Sequence, residues 1–230
     1  MKIGRTLFWF KDGDESLISI NDDFFGLATL LNRLLNEKYD GRKIKFINID
    51  FSTDKTYEQY PVLPKDKPYY YGCHLRFYGL FDMIQFNELN WNEKQFHVWE
   101  NSYEYLKKTA DFIKNNKLLD AVEYAYFKGI EDNLNSDYRL LEISFIVSEQ
   151  QFKSSLWINF KEDGIYSNLI LENGEGVVLE KEIDKTKKSV EFLLEIYKAL
   201  EFDGNNIVIK GRKDVDYLPL KIPILEFILK

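Results

Sequence analysis

One cysteine and two histidines are few for 230 residues, and each scarcity argues against a class of protein. A lone Cys73 has no partner for an intrachain disulfide, which argues against the disulfide-stapled secreted scaffolds and fits a reducing compartment. His74 and His97 cannot alone supply the three or four ligands a metal site needs. No apolar run approaches the roughly eighteen residues of a membrane-spanning helix. The opening MKIGRTLFWFKDGDE has one apolar run, Leu7 to Phe10, and Lys11 and Asp12 break it before it reaches the length of a signal-peptide core. The expectation is a cytoplasmic chain with no membrane partner.

Basic tracts are also missing. Lys and Arg number 31 against 38 Asp and Glu, a net charge of −7, and the excess is spread thinly between residues 51 and 200. Nucleic-acid binding loses its usual electrostatic driver, so no nucleic-acid partner is expected. An acidic surface instead suits a basic protein partner, whose encounter it speeds and orients. Gly174 and Gly176 give only Gly-x-Gly in a turn. No phosphate loop, Gly-x-Ser-x-Gly elbow or His-Glu-x-x-His helix is present, and no cofactor is expected.

What is there is a globular composition, 45% hydrophobic and 30% charged. It predicts a single α+β domain over 1–230 with a mostly antiparallel sheet and packed helices. Ile3, Arg5, Leu7 and Trp9 alternate with Phe8 and Phe10, and Asp12-Gly13 is a hairpin turn signal. The reading is a β-hairpin over 3–10 and 15–20. Leu27, Leu31, Leu34 and Leu35 lie on one face of a helix over 22–38, which stops before Asp40-Gly41. A strand follows to about Phe51, a proline-bearing loop over 52–68, and an aromatic strand from Tyr69 to Leu80.

The most regular helix spans 92–114, with Phe96, Trp99, Tyr103, Leu106, Ala110 and Ile113 on its apolar face. A second, 118–132, carries Leu118, Val122, Ala125 and Gly129 on one face, with Leu119, Tyr126 and Ile130 beside it. The two should form an antiparallel hairpin. After Asp137 the period falls to two, and Asp163-Gly164 and Asn173-Gly174 turn an antiparallel meander. Val190, Leu193, Leu194, Tyr197 and Leu200 then suggest a helix over 185–201, ended by Asp203-Gly204. Prolines 219 and 223 assign 220–229 to an edge strand or a short helix.

Two stretches rhyme. Phe10-Lys11-Asp12-Gly13 resembles Phe160-Lys161-Glu162-Asp163-Gly164, and Tyr39-Asp40-Gly41 resembles Phe202-Asp203-Gly204. They suggest two related β-β-α-β units, 1–51 and 138–211, with the helical hairpin 92–132 inserted between them. Asp-Gly turns arise equally from backbone geometry alone.

The chemical constellations are sparse. Cys73 and His74 are neighbours on a predicted strand and point to opposite faces. His97 shares a helical surface with Glu93, Glu100 and Asn101, a set that could act as a base and that also describes an ordinary polar face. Tyr69, Tyr70 and Tyr71 cannot all face a core, and exposed tyrosines favour interfaces. Glu123, Glu131 and Asp132 add acidic charge on the second helix. These six residues are the candidate partner-binding set.

The opening strand ending in Phe8-Trp9, the Asp-Gly turn and the leucine-rich helix to Leu35 resemble the immunity proteins of bacterial polymorphic toxin systems. The resemblance covers about the first fifty residues. It implies a cytoplasmic, non-enzymatic binder that masks a cognate toxin, with a basic toxin domain as the partner. The alternative is a hydrolase, for example sugar-active, with dispersed carboxylates and a histidine.

Overall fold

The computed structural model describes residues 2–41 and 43–225. The fold is α+β, with seven helices and twelve strands among the described residues. Of nine strand pairings, seven are antiparallel. Where one domain was expected, the chain divides into two compact units, Met1–Ser136 and Asp137–Lys230. Each is described by itself.

The first unit opens with β1 (Arg5–Asp12), whose alternation buries Phe8 and Phe10. The hairpin arm is shorter than expected: β2 is only Glu15–Ser16, and α1 (Ile18–Asp23) follows directly. The edge of β1 that a longer arm would have paired is satisfied otherwise. Leu17 N–H donates to the Phe10 carbonyl and Phe10 N–H donates to the Asn21 side chain at 2.7 Å. The leucine-rich helix forms as predicted, as α2 (Phe25–Lys38), with Leu27, Leu31, Leu34 and Leu35 all buried.

Strand β3 (Phe46–Ser52) then pairs parallel to β1, Phe8 opposite Ile49. The segment expected to be all loop contains a helix, α3 (Asp54–Gln59). The expected strand 69–80 is two strands, β4 (Lys67–Tyr71) and β5 (His74–Leu80), joined at Gly72 and Cys73, both at positive φ. Strand β5 pairs parallel to β3 and antiparallel to β4. The five-stranded order is therefore β2-β1-β3-β5-β4, with three parallel strands between antiparallel edges. Parallel neighbours need long crossovers, here supplied by α1–α2 and by α3 with β4.

The helices α4 (Met83–Glu88), α5 (Trp91–Phe112) and α6 (Asn116–Glu131) complete the unit. A capping box starts α5: Asn90 N–H donates to Glu93 at 2.8 Å and Glu93 N–H donates back to the Asn90 side chain at 3.1 Å. Helices α2, α5 and α6 and the sheet share one core with Phe10, Ile49, Phe51, Leu75 and Phe77. Phe77 stacks on Tyr105 at 4.4 Å and Phe10 on Phe51 at 4.7 Å. The buried stripe of α5 is rotated from the predicted one. Trp99, Leu106 and Ala110 are buried as expected, with Val98, Ser102, Tyr105 and Thr109 beside them, whereas Phe96 is exposed and Tyr103 half-buried.

The second unit is a meander of β6 (Tyr138–Val147), β7 (Gln150–Lys161), β8 (Gly164–Asn173) and β9 (Gly176–Thr186), in that spatial order. Its turns fall at the predicted Asp163-Gly164 and Asn173-Gly174. A helix over 185–201 does not form. Strand β9 runs to Thr186, α7 is only Phe192–Ile196, and the chain continues as β10 (Tyr197–Phe202). Pairing of Glu201 with Val208 and Leu200 with Ile209 in β11 (Asn206–Gly211) outweighs the helical spacing. Asp203-Gly204 is thus a hairpin turn and not a helix stop.

The predicted edge strand appears as β12 (Leu220–Pro223), beside β11. The remainder of that prediction, 226–229, lies outside the described residues. The two rhyming segments build different topologies: a parallel β1–β3 pair around a long helix in 1–51, and antiparallel hairpins around a five-residue helix in 138–211.

Candidate functional site

The six predicted residues fall on two surfaces of the first unit. Residues directly opposite on paired strands share a sheet face, so Tyr69 sides with Arg76, and Tyr71 with His74. Both tyrosines are exposed, at 52% and 74%. Tyr70 points the other way, packs against the core and donates to the Lys43 carbonyl at 2.8 Å. Glu123 and Glu131 lie on α6 and Asp132 at its C-terminal end, on a different element from β4. The structure does not bring the tyrosine triplet and the acids together.

The acids have a setting of their own. On α6, Glu123, Phe127 and Glu131 follow one another at i, i+4 and i+8, one stripe of the helix. Phe127 is 66% exposed. Beside it Tyr126 stacks on Tyr103 of α5 at 4.3 Å and meets Phe127 edge-on at 5.3 Å. Phe96, two turns back on the same side of α5 as Tyr103, is also exposed. Burial in this stack pushes the Tyr126 phenol up, and Glu100, Tyr103 and Glu104 push it further. Lys107 stands over the Tyr103 ring at 5.5 Å, and its ammonium is held charged by Tyr103, Glu104 and Glu123. Beside the half-buried Tyr103–Tyr126 stack, Phe96 and Phe127 are therefore exposed, with Glu100 and Glu104 on α5 and Glu123 and Glu131 on α6. At its end Lys128 pairs with Glu131 at 2.9 Å and Asp132 at 3.0 Å, partly neutralising them.

Phe127 was missed in the sequence, although it carried a signal. It falls outside both apolar faces assigned to that helix. A large aromatic off the buried stripe has no packing reason to be there.

The second surface is the sheet face turned away from α2 and α5. Register places Trp9 of β1, Phe46, Asn48 and Asp50 of β3, and His74, Arg76 and Tyr78 of β5 on it, with Tyr69 and Tyr71. Trp9 Nε1–H donates to Asn48 at 3.0 Å, and Phe46 stacks on His74 at 4.8 Å. Asp50 is buried and accepts two bonds from Arg76, at 2.6 and 2.9 Å. Burial pushes the Asp50 carboxyl above its ordinary value, against the pull of Arg76 and of Lys11.

His97 is half-buried beside the Phe81–Phe86 ring pair, 6.4 and 6.1 Å from the two rings. Burial lowers its basicity, opposed by Glu100 and Asp82. Its expected neighbour Glu93 is engaged in the capping box. Cys73 sits in the β4–β5 turn. Among the described residues, no three of His, Cys, Asp and Glu gather as a metal ion would need. No described helix is long and apolar enough to cross a membrane. No family model, no curated protein and no solved structure matches the chain.

Proposed function

We propose that the chain is a non-enzymatic binding protein that captures a cationic protein partner on the α5–α6 seam. The observation that carries this reading is Phe127, two-thirds exposed and flanked by Glu123 and Glu131 one turn away on each side. A ring of that size in water, beside the Tyr103–Tyr126 stack, is the composition of an interface anchor. Carboxylates at its rim would steer a basic surface toward it. Neutralisation of a basic toxin domain is the cellular role that the immunity-protein resemblance adds.

The test begins with capture from the source cell by the wild-type chain and by Phe127→Ala, followed by binding kinetics on the recovered partner. Phe127→Ala should weaken binding at least tenfold, mainly through faster dissociation, as loss of an interface anchor does. Because the side chain is exposed, the variant should fold normally. Glu123→Lys with Glu131→Lys should slow association at low salt, and the difference should vanish at high salt as ions screen the rim charges. A partner bound equally well by Phe127→Ala, or an association rate indifferent to salt, overturns the proposal.

A further inference from the structure

We propose that the segment captured on the α5–α6 seam presents arginine, and that Lys107 is the chain's own stand-in for it, displaced when the partner docks. The inference rests on the seam being the binding surface and adds the chemistry of what binds there. The ammonium of Lys107 stands over the Tyr103 ring, 5.5 Å from its centre. Tyr103 and Glu104 lie one turn back on the same helix. Tyr103, Glu104 and, from α6, Glu123 hold the ammonium in its charged form. The two helices thus build a cradle for a cation, with a ring and a carboxylate from each helix, and a tethered lysine already fills it.

A partner must displace that lysine to use the cradle. A lysine of the partner offers the same ammonium to the same contacts, while the resident one is held beside them at high effective concentration. The exchange gains nothing. A guanidinium offers more. Its plane stacks on aromatic faces, its fork of N–H donors fits a carboxylate, and it is more weakly hydrated than an ammonium. The neighbouring ring adds to the preference. Phe127 is 66% exposed, with Glu123 one turn before it and Glu131 one turn after it. Among the described residues no cation lies over its ring. Lys128 is already bonded to Glu131 and Asp132, at 2.9 and 3.0 Å. Glu123 is therefore the carboxylate for which a guanidinium stacked on Phe127 competes with Lys107. Lys107 keeps the cradle occupied until a stronger cation arrives, so it lowers the affinity for every cationic segment, and only one that carries arginine recovers the loss.

The test is fluorescence anisotropy of the full chain with labelled oligoarginine and oligolysine peptides of equal length, whose equal charge removes long-range attraction from the comparison. The wild type should bind oligoarginine more tightly than oligolysine. Phe127→Ala should weaken oligoarginine and narrow the difference, because the open ring is lost. Lys107→Ala should tighten oligoarginine by about two- to fivefold, the worth of one exposed cation–ring contact. Lys107→Arg, which refills the cradle with a guanidinium, should weaken it. Lys108→Ala removes the same charge from the next residue, which pairs with Asp66 at 3.1 Å, and should tighten binding much less. Circular dichroism checks that each variant folds. The proposal is overturned if neither peptide binds, if the two bind equally, if Phe127→Ala binds oligoarginine as well as the wild type does, or if Lys107→Ala tightens binding no more than Lys108→Ala. Capture of the partner reports separately on the surface itself. Capture that still depends on Phe127 while the peptides fail would overturn the arginine preference alone, and capture indifferent to Phe127 would overturn both readings.

Discussion

Replacing Trp99 by alanine should cost the first unit about 3–5 kcal/mol, the range for emptying a large buried aromatic site. Trp99 is 1% exposed, and its Nε1–H donates to the Tyr126 carbonyl at 3.2 Å. Its ring presses on α6 at Gly129, where a Cβ would lie 2.3 Å from a ring carbon. The indole thus occupies the space that the missing side chain leaves, and the two helices approach closely there. Gly129→Ala should be destabilising too, by overpacking rather than by a void. Urea melts read both. A loss below about 1 kcal/mol for Trp99→Ala, far under the cavity range, would show that the α5–α6 contact is not part of the core.

The second large effect is expected at the Asp50–Arg76 pair. Arg76→Leu should cost about 3–5 kcal/mol at neutral pH, because it leaves a buried carboxylate without its partner. Replacing both residues by leucine should recover most of that loss, since an apolar pair incurs no desolvation penalty. The sign of the pH dependence follows from the direction of the shift. The folded state binds the Asp50 proton more tightly than the unfolded chain, whose carboxyl titrates near 3.8. Stability from this group is therefore complete below 3.8 and is lost as pH rises through the raised folded value. Without Arg76 the folded value rises further. The deficit of Arg76→Leu should therefore shrink as the melts are taken down to about pH 4. A deficit that is constant with pH would mean that Asp50 is not the group left stranded.

Elements whose signal is local were legible in the sequence. Helices α2, α5 and α6 follow from leucine and aromatic spacing, and the β6–β9 meander from alternation and Asp-Gly or Asn-Gly turns. Partner choice among strands was not. Nothing in Phe46–Ser52 says that it lies between Arg5–Asp12 and His74–Leu80, and parallel neighbours share no turn to announce them. The apolar spacing around Leu193 and Leu200 reads as helix, and only the pairing of β10 with β11 decides otherwise.

The site was legible to the same degree. Glu123 and Glu131 were singled out by charge, but their meaning depends on Phe127, which stands between them.

The two units also differ in the order in which their contacts can form. In the meander, each pairing begins across a turn, Lys161 with Gly164 and Asn173 with Gly176. In the first unit, Arg5 must find Phe46, and Phe46 must find His74. Closing such loops costs entropy before any contact is gained, and low contact order goes with fast folding. The meander unit should be the first to acquire stable hydrogen bonds when the chain refolds. Pulse-labelled hydrogen exchange should protect the β7 and β8 amides before those of β1 and β3. The reverse order would show that helix packing, and not strand pairing, sets the pace of the first unit.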